Sequence, residues 1–177
     1  MTEKTVRKRQ FPLIEQYKIT PEDANIVDHA RSTGGPITDP FHGEVMPGNP
    51  DNGVAFSFGI HQAVGGYHDL PNPGDLLCGA LAACFDSTLR IIAEHLGITV
   101  TALEVDVSAE LDVRGTLQVD KTVPVGFQSV QCRVKLETEK ETSPALIPKL
   151  IAATEQCCVV FQTLKNGVNI ETSVNGA

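Results

Sequence analysis

The sequence predicts an α+β domain, and three observations carry that reading. A helical pattern from Asn72 to Leu96 opens on a helix-start signal and closes on Gly97. Leu103, Val105, Val107, Ala109, Leu111 and Val113 alternate with mostly polar residues, the period of a strand with one buried face. A second alternating run and a second apolar helical run then follow in that order. The 177 residues suit one domain, large enough to hide roughly 70% of its extended surface. Within it, residues 1–52 read as a loop-rich N-terminal extension and residues 53–177 as the ordered domain.

Taken in order, residues 1–52 are rich in Pro, Gly, Asp and Thr and show little periodicity. Ile14 to Val27 is expected to hold a short strand or turn, and Thr33 to Asn52 a loop. Val54 to Ile60 places Phe56, Phe58 and Ile60 on one face of a strand, closed by Gly65-Gly66 and Pro71. Asn72 can cap free backbone N–H groups, Pro73 suits a first turn, and Asp75 puts negative charge at the positive end of the helix. The middle of that helix, Cys78-Gly79-Ala80-Leu81-Ala82-Ala83-Cys84, is small on every side and is expected to pack centrally on several faces. Val130, Cys132, Val134 and Leu136 mark the second long strand. A second helix fits Pro144 to about Cys158, since Pro144 and Pro148 are tolerated only near its start. Val168, Ile170 and Val174 are expected to form a final strand.

Composition excludes several functions. The formal charge is −8, yet Lys4, Arg7, Lys8 and Arg9 stand against only Glu3 in the first ten residues. The rest of the chain is therefore more acidic still, and lacks the positive footprint that nucleic acid requires. The basic head reads as a solvated tail. No apolar run approaches the roughly 18–20 residues needed to span a bilayer, so no membrane partner is expected. No apolar stretch follows the basic residues, so no secretory signal is expected either. Five cysteines at irregular spacing argue against a disulfide scaffold and for a reducing, cytoplasmic compartment.

The cysteines are the main candidates for chemistry. At 100° per residue, Leu77, Ala80, Leu81, Thr88 and Ile91 lie within about 60° of Cys84. Burial there raises a thiol pKa and the mid-helix position gives little dipole assistance, so a reactive Cys84 needs a cation from elsewhere; the alternative is simple packing. Cys157 and Cys158 adjoin at a helix end, where they either form a strained vicinal ring or only one has a role. Cys78 and Cys132 read as packing residues. The loop before the first helix brings His61, His68 and Asp69 near its start. They could serve as acid, base or charge partners, as hydrogen-bonded loop residues, or as metal ligands. The spacing matches no common metal site, so neither a metal nor a cofactor is expected. Asp86 and Arg90 form a structural i,i+4 pair, and His95 suits the helix C-terminus.

The segment Pro71-Asn72-Pro73-Gly74-Asp75-Leu76-Leu77, followed by Ala80-Leu81-Ala82-Ala83-Cys84, resembles the cysteine helix of the OsmC/Ohr family. Those are the osmotically inducible and organic-hydroperoxide-resistance proteins. Asp112-Val113-Arg114-Gly115, the Val123-Pro124-Val125-Gly126-Phe127 turn, and Glu155-Gln156-Cys157 with Thr163-Leu164 and Gly167-Val168 fit as well. The resemblance spans about residues 54–174. It implies antiparallel sheets with two cysteine-bearing helices, and an intertwined homodimer. It also implies reduction of organic hydroperoxides, with Cys84 peroxidatic, Cys157 resolving, and an external dithiol as reductant. Cys158 stands where the family usually has proline, so either cysteine of the pair is a candidate resolver. Family members have a glutamate at the position of Gly74 that orients an arginine beside the thiolate. Asp75 adjoins that position, and Arg31, ahead of Arg114, is the nearest candidate for the arginine. A related reading is an OsmC-like protein that binds a small ligand or senses redox state without efficient peroxidase activity. A metal-dependent hydrolase using His61, His68 and Asp69 is the third.

Overall fold

The computed structural model describes residues 5–49 and 51–174. Lys4 and Glu3 of the expected basic tail lie outside them. The chain divides into two compact units, one of residues 1–79 and 107–131, the other of residues 80–106 and 132–177.

The first unit opens with a helix where a tail and loop are expected: α1, Val6–Ile19. Thr5 caps it, its hydroxyl oxygen accepting from the Lys8 N–H at 3.4 Å. A 3-10 turn over Pro21–Ala24 follows, fastened by Asp23, which accepts from Gln16 and Thr20 at 2.8 Å each. Periodicity gives no sign of α1 because none of its residues is buried; capping and local hydrogen bonds define it instead.

Three short strands, β1 (Ala30–Ser32), β2 (His42–Pro47) and β3 (Phe56–Gly59), form an antiparallel sheet in that order. Arg31 faces Met46, and His42 faces Gly59. β2 replaces part of the expected loop at 33–52. Pairing on both edges specifies it, without an apolar alternation. Gly43 is required there, since a Cβ at that position would lie 2.5 Å from the Phe58 ring.

Helix α2, Pro73–Leu96, matches the expected span. At its start Asn72 Oδ1 accepts from the Gly74 and Asp75 N–H groups, while Asp75 Oδ2 accepts from Asn72 N–H and Nδ2 at 2.9 and 2.6 Å. This reciprocal pair satisfies the free donors of the first turn. Gly97 ends the helix in the left-handed region at φ +69°. The expected absence of a long apolar segment does not hold. By length and composition α2 is sufficient to cross a membrane, a property it shares with core helices of soluble proteins. Its few charges interrupt the run without making it polar overall.

In the second unit, Leu81, Phe85, Leu89 and Ala93 form one buried stripe along α2. Helix α4, Leu146–Cys157, contributes Leu150 and Thr154, and Cys158 continues that spacing. Leu89, Leu150, Thr154 and Cys158 are fully buried, and the Thr154 hydroxyl is satisfied by the Leu150 carbonyl at 2.8 Å. Only this stripe of α2 is buried, where packing on several faces is expected. The second predicted helix, Pro144 to about Cys158, is α4 and ends where expected: Cys158 is extended (φ −75°, ψ 110°), and a further helix that was not expected, α5, Val159–Asn166, starts after it. The predicted final strand is absent from the described residues; Val168, Ile170 and Val174 are exposed and have no ladder partner.

β4, Val100–Glu110, and β5, Ser129–Thr138, form a two-stranded sheet that runs through both units, as the alternation predicts. Gln128 N–H donates to Glu110 at one end, and Glu139 N–H to Thr99 at the other. The outer face carries Lys135–Glu104 at 2.7 Å and Arg133–Asp106 at 3.6 Å. Between these strands lies α3, a single turn at Val113–Thr116 capped by Asp112.

Candidate functional site

The second unit brings three elements to one sulfur. Cys84 is half-buried on α2, Cys158 is fully buried at the break between α4 and α5, and α5 begins immediately after it. Burial pushes the Cys84 thiol up, as it does any thiol in apolar surroundings. The opposing groups outweigh it: the Val160 N–H, the Cys158 thiol, the Thr88 hydroxyl and the Val159 N–H all donate toward Cys84. The net shift holds Cys84 below the usual thiol range.

Two of those donors are the first backbone N–H groups of α5. Such groups have no intrahelical acceptor and stand at the positive end of the helix dipole, where a thiolate is stabilised. Within this unit a neighbouring helix terminus and neutral donors act on Cys84. Cys158 takes the opposite role. Burial and the adjacent Cys84 push its thiol up to about 11, despite the N–H groups of Phe161 and Val160. A thiol that stays protonated can donate to its neighbour. The pair therefore divides into an acidic member, Cys84, and a proton-holding member, Cys158. The site is flanked by Phe85 and Phe161, whose ring centroids lie 6.1 Å apart.

The geometry gathers Cys84 with Cys158 rather than with Cys157, which is exposed at the end of α4. Cys78 and Cys132 are half-buried thiols raised by desolvation, Cys78 also by Asp75 and Cys132 also by Glu155 and Asp106. They are poor nucleophiles.

The first unit holds a second cluster. His42, which the sequence reading missed, bonds Asp39 through Nδ1 at 2.8 Å and Asp69 through Nε2 at 3.1 Å. Its ring stacks on Tyr67 at 5.5 Å, and Phe41 meets Tyr67 edge-on. Hydrogen bonds from Asp39 and Asp69 raise the His42 pKa against a smaller desolvation effect. No local motif joins residues 39, 42 and 69; the β2–β3 pairing brings them together.

The other expected site residues have local partners. His61 caps the 3-10 turn Gln62–Val64 by accepting from the Ala63 N–H, and its ring meets His68 edge-on at 4.3 Å. His68 itself sits at φ +56°. Asp75 is held by Asn72, Arg31 lies exposed in β1, and Arg114 is bound by Asp112 at 2.5 and 2.9 Å. Among the described residues, no three His, Cys, Asp or Glu side chains form a group able to hold a metal ion.

Comparison with known proteins identifies a family for the sequence and the fold. The OsmC-like protein family matches residues 66–173, which include all five cysteines. Among solved structures, an organic hydroperoxide resistance protein from Elizabethkingia anophelis is similar at 20% identity and a TM-score of 0.60, covering 81% of this chain and 91% of its own. An OsmC-like protein from Mycoplasma pneumoniae is similar at 13% identity and a TM-score of 0.63, covering 81% and 90%. The OsmC organic hydroperoxide resistance protein from Legionella pneumophila is similar at 19% identity and a TM-score of 0.59, covering 80% and 90%. No curated protein matches the sequence. At these identities the structural likeness shows the fold, whereas the family match spans more than half of the residues. The chain belongs to the OsmC-like family.

Proposed function

We propose that this protein reduces organic hydroperoxides in response to oxidative stress, with Cys84 as the attacking thiolate and Cys158 as the resolving thiol. The observation that carries the reading is the hydrogen-bonded Cys84–Cys158 pair beside the start of α5, with the two thiols shifted in opposite directions. Cys84 attacks the peroxide, the O–O bond breaks, and the alkoxide leaves and takes a proton to become an alcohol. Cys84 becomes a sulfenic acid. Cys158 sulfur then bonds to the Cys84 sulfur, and the hydroxyl departs with the Cys158 proton as water. An external dithiol supplies two electrons and restores both thiols. The cycle is written without a metal or cofactor. Cys158 replaces Cys157 as the proposed resolver because Cys158 contacts Cys84.

The resistance proteins named above support the substrate class, and the aromatic flank of Phe85 and Phe161 suits an apolar peroxide. The uncovered faces of α2, including Leu77 and Leu96, support a homodimer. The need to keep free thiols reduced supports a cytoplasmic location.

The second reading, ligand binding or redox sensing without efficient turnover, is favoured by Gly74 in place of the family glutamate. The adjacent Asp75 carboxylate is occupied by Asn72. The test treats reduced protein with one equivalent of cumene hydroperoxide and maps disulfides by mass spectrometry. A Cys84–Cys158 link formed faster than free cysteine reacts is expected. Unchanged thiols would leave only the second reading.

A further inference from the structure

The proposed redox pair poses a problem of access. In a Cys84–Cys158 disulfide, attack on the Cys158 sulfur expels Cys84, the thiol with the lower pKa and therefore the better leaving group. Yet Cys158 is fully buried, so a reductant in solution does not reach the sulfur it should attack. One other thiol is already there. Cys157 is covalently adjacent, exposed, and lies in the last position of α4, where the helix gives way to the extended Cys158.

We propose that Cys157 is a relay thiol, which takes the disulfide from Cys84 by bonding to Cys158 and presents the new bridge to the reductant. The inference rests on the peroxidase reading for the origin of the first disulfide. Cys157 loses its proton to solvent, and its thiolate attacks the Cys158 sulfur. The Cys157–Cys158 bond forms, the Cys84–Cys158 bond breaks, and Cys84 leaves as a thiolate ready for another peroxide. The oxidation level is unchanged in this exchange. The external dithiol then gives two electrons to the bridge and leaves as its own disulfide, and Cys157 and Cys158 take up protons. Consecutive Cα atoms stand about 3.8 Å apart. That is shorter than the roughly 4.4–6.8 Å of most disulfides, so the vicinal bridge is strained and readily reduced, as a short-lived carrier should be. The sulfenic acid step needs only Cys84 and Cys158, so the relay acts in recovery and not in peroxide attack.

The experiment compares the full-length protein with Cys157→Ser and Cys157→Ala. Each is oxidised in parallel by one equivalent of cumene hydroperoxide and by one equivalent of diamide, then re-reduced by dithiothreitol while thiols are counted. Oxidation by hydroperoxide should be unchanged within about twofold in both variants, whereas re-reduction and steady-state turnover should slow by at least about tenfold. Wild-type protein quenched with acid during re-reduction should yield a Cys157–Cys158 peptide. Equal re-reduction rates in wild type and variants would overturn the relay, as would absence of the vicinal peptide or failure of diamide to form Cys84–Cys158. Failure with hydroperoxide but success with diamide overturns the peroxidase reading alone, since the diamide arm still measures the relay.

Discussion

At the residue scale, the donors around Cys84 hold its thiol below the ordinary range. Thr88 illustrates this, as its hydroxyl is one of the groups holding the thiol below its ordinary range. Thr88→Val keeps the shape and removes the donor. The pH–rate profile for thiolate attack should move to higher pH, and the rate at pH 7 should fall by about threefold to tenfold, the scale of one hydrogen bond to a charged group. Stopped-flow measurement against hydroperoxide checks this, and an unmoved profile would remove Thr88 from the site. Cys84 was legible in the sequence through resemblance, but its activation was not. The donors come from Val159 and Val160, two β-branched residues that read as a continuation of a helix or strand, with no Ser, Thr, Asp or Asn to announce a new helix start. The sequence left both Cys157 and Cys158 open as the resolver; their different burial follows from the backbone break between α4 and α5.

At the scale of elements, the second unit depends on the buried residues of α2 and α4. Leu89 is fully buried on α2, and Leu89→Ala should destabilise the fold by about 2–5 kcal/mol, read as a lower urea midpoint at constant m-value. The first unit depends on the His42 clasp, which has a pH signature. Its folded pKa is raised, by the Asp39 hydrogen bond first and the Asp69 bond second. The stabilisation is therefore fully present below about pH 6.5, the unfolded value, and is lost as pH rises through the raised folded value. Neutral imidazole donates from only one nitrogen, so one carboxylate must release. Hydrogen exchange at the Gly59 and His68 amides, which bond Pro71 and Ile60, should quicken over that range beyond the intrinsic rate. His42→Asn should abolish the extra pH dependence; if it persists, the clasp is not its source. Long elements with strong periodicity, α2, β4 and β5, were legible within a few residues. In the short sheet β3 falls within the expected strand at Val54 to Ile60, whereas β1 and β2 were not legible, because pairing rather than composition specifies them.

At the scale of the whole molecule, the unresolved balance is the apolar surface that one copy leaves uncovered. Leu77, Leu96, Leu111 and Val130 are each more than a third exposed, alongside many apolar residues of the N-terminal segment. A homodimer covering the faces of α2 should sediment at twice the 19.0 kDa chain mass at micromolar concentration, and a stable monomer would contradict it. The α+β class followed from the sequence because alternation and helix signals are local. The two compact units leave no mark in the sequence, because each collects two separate stretches of chain.

The boundaries between those units fall at Gly79–Ala80, Asp106–Val107 and Gln131–Cys132, inside α2, β4 and β5. No single cut of the chain releases either unit. Separating the two units by cutting the chain at their boundaries therefore divides α2, β4 and β5. A lineage can vary the ends and the turns, but α2, β4 and β5 each belong to both units, so neither unit can be inherited without them.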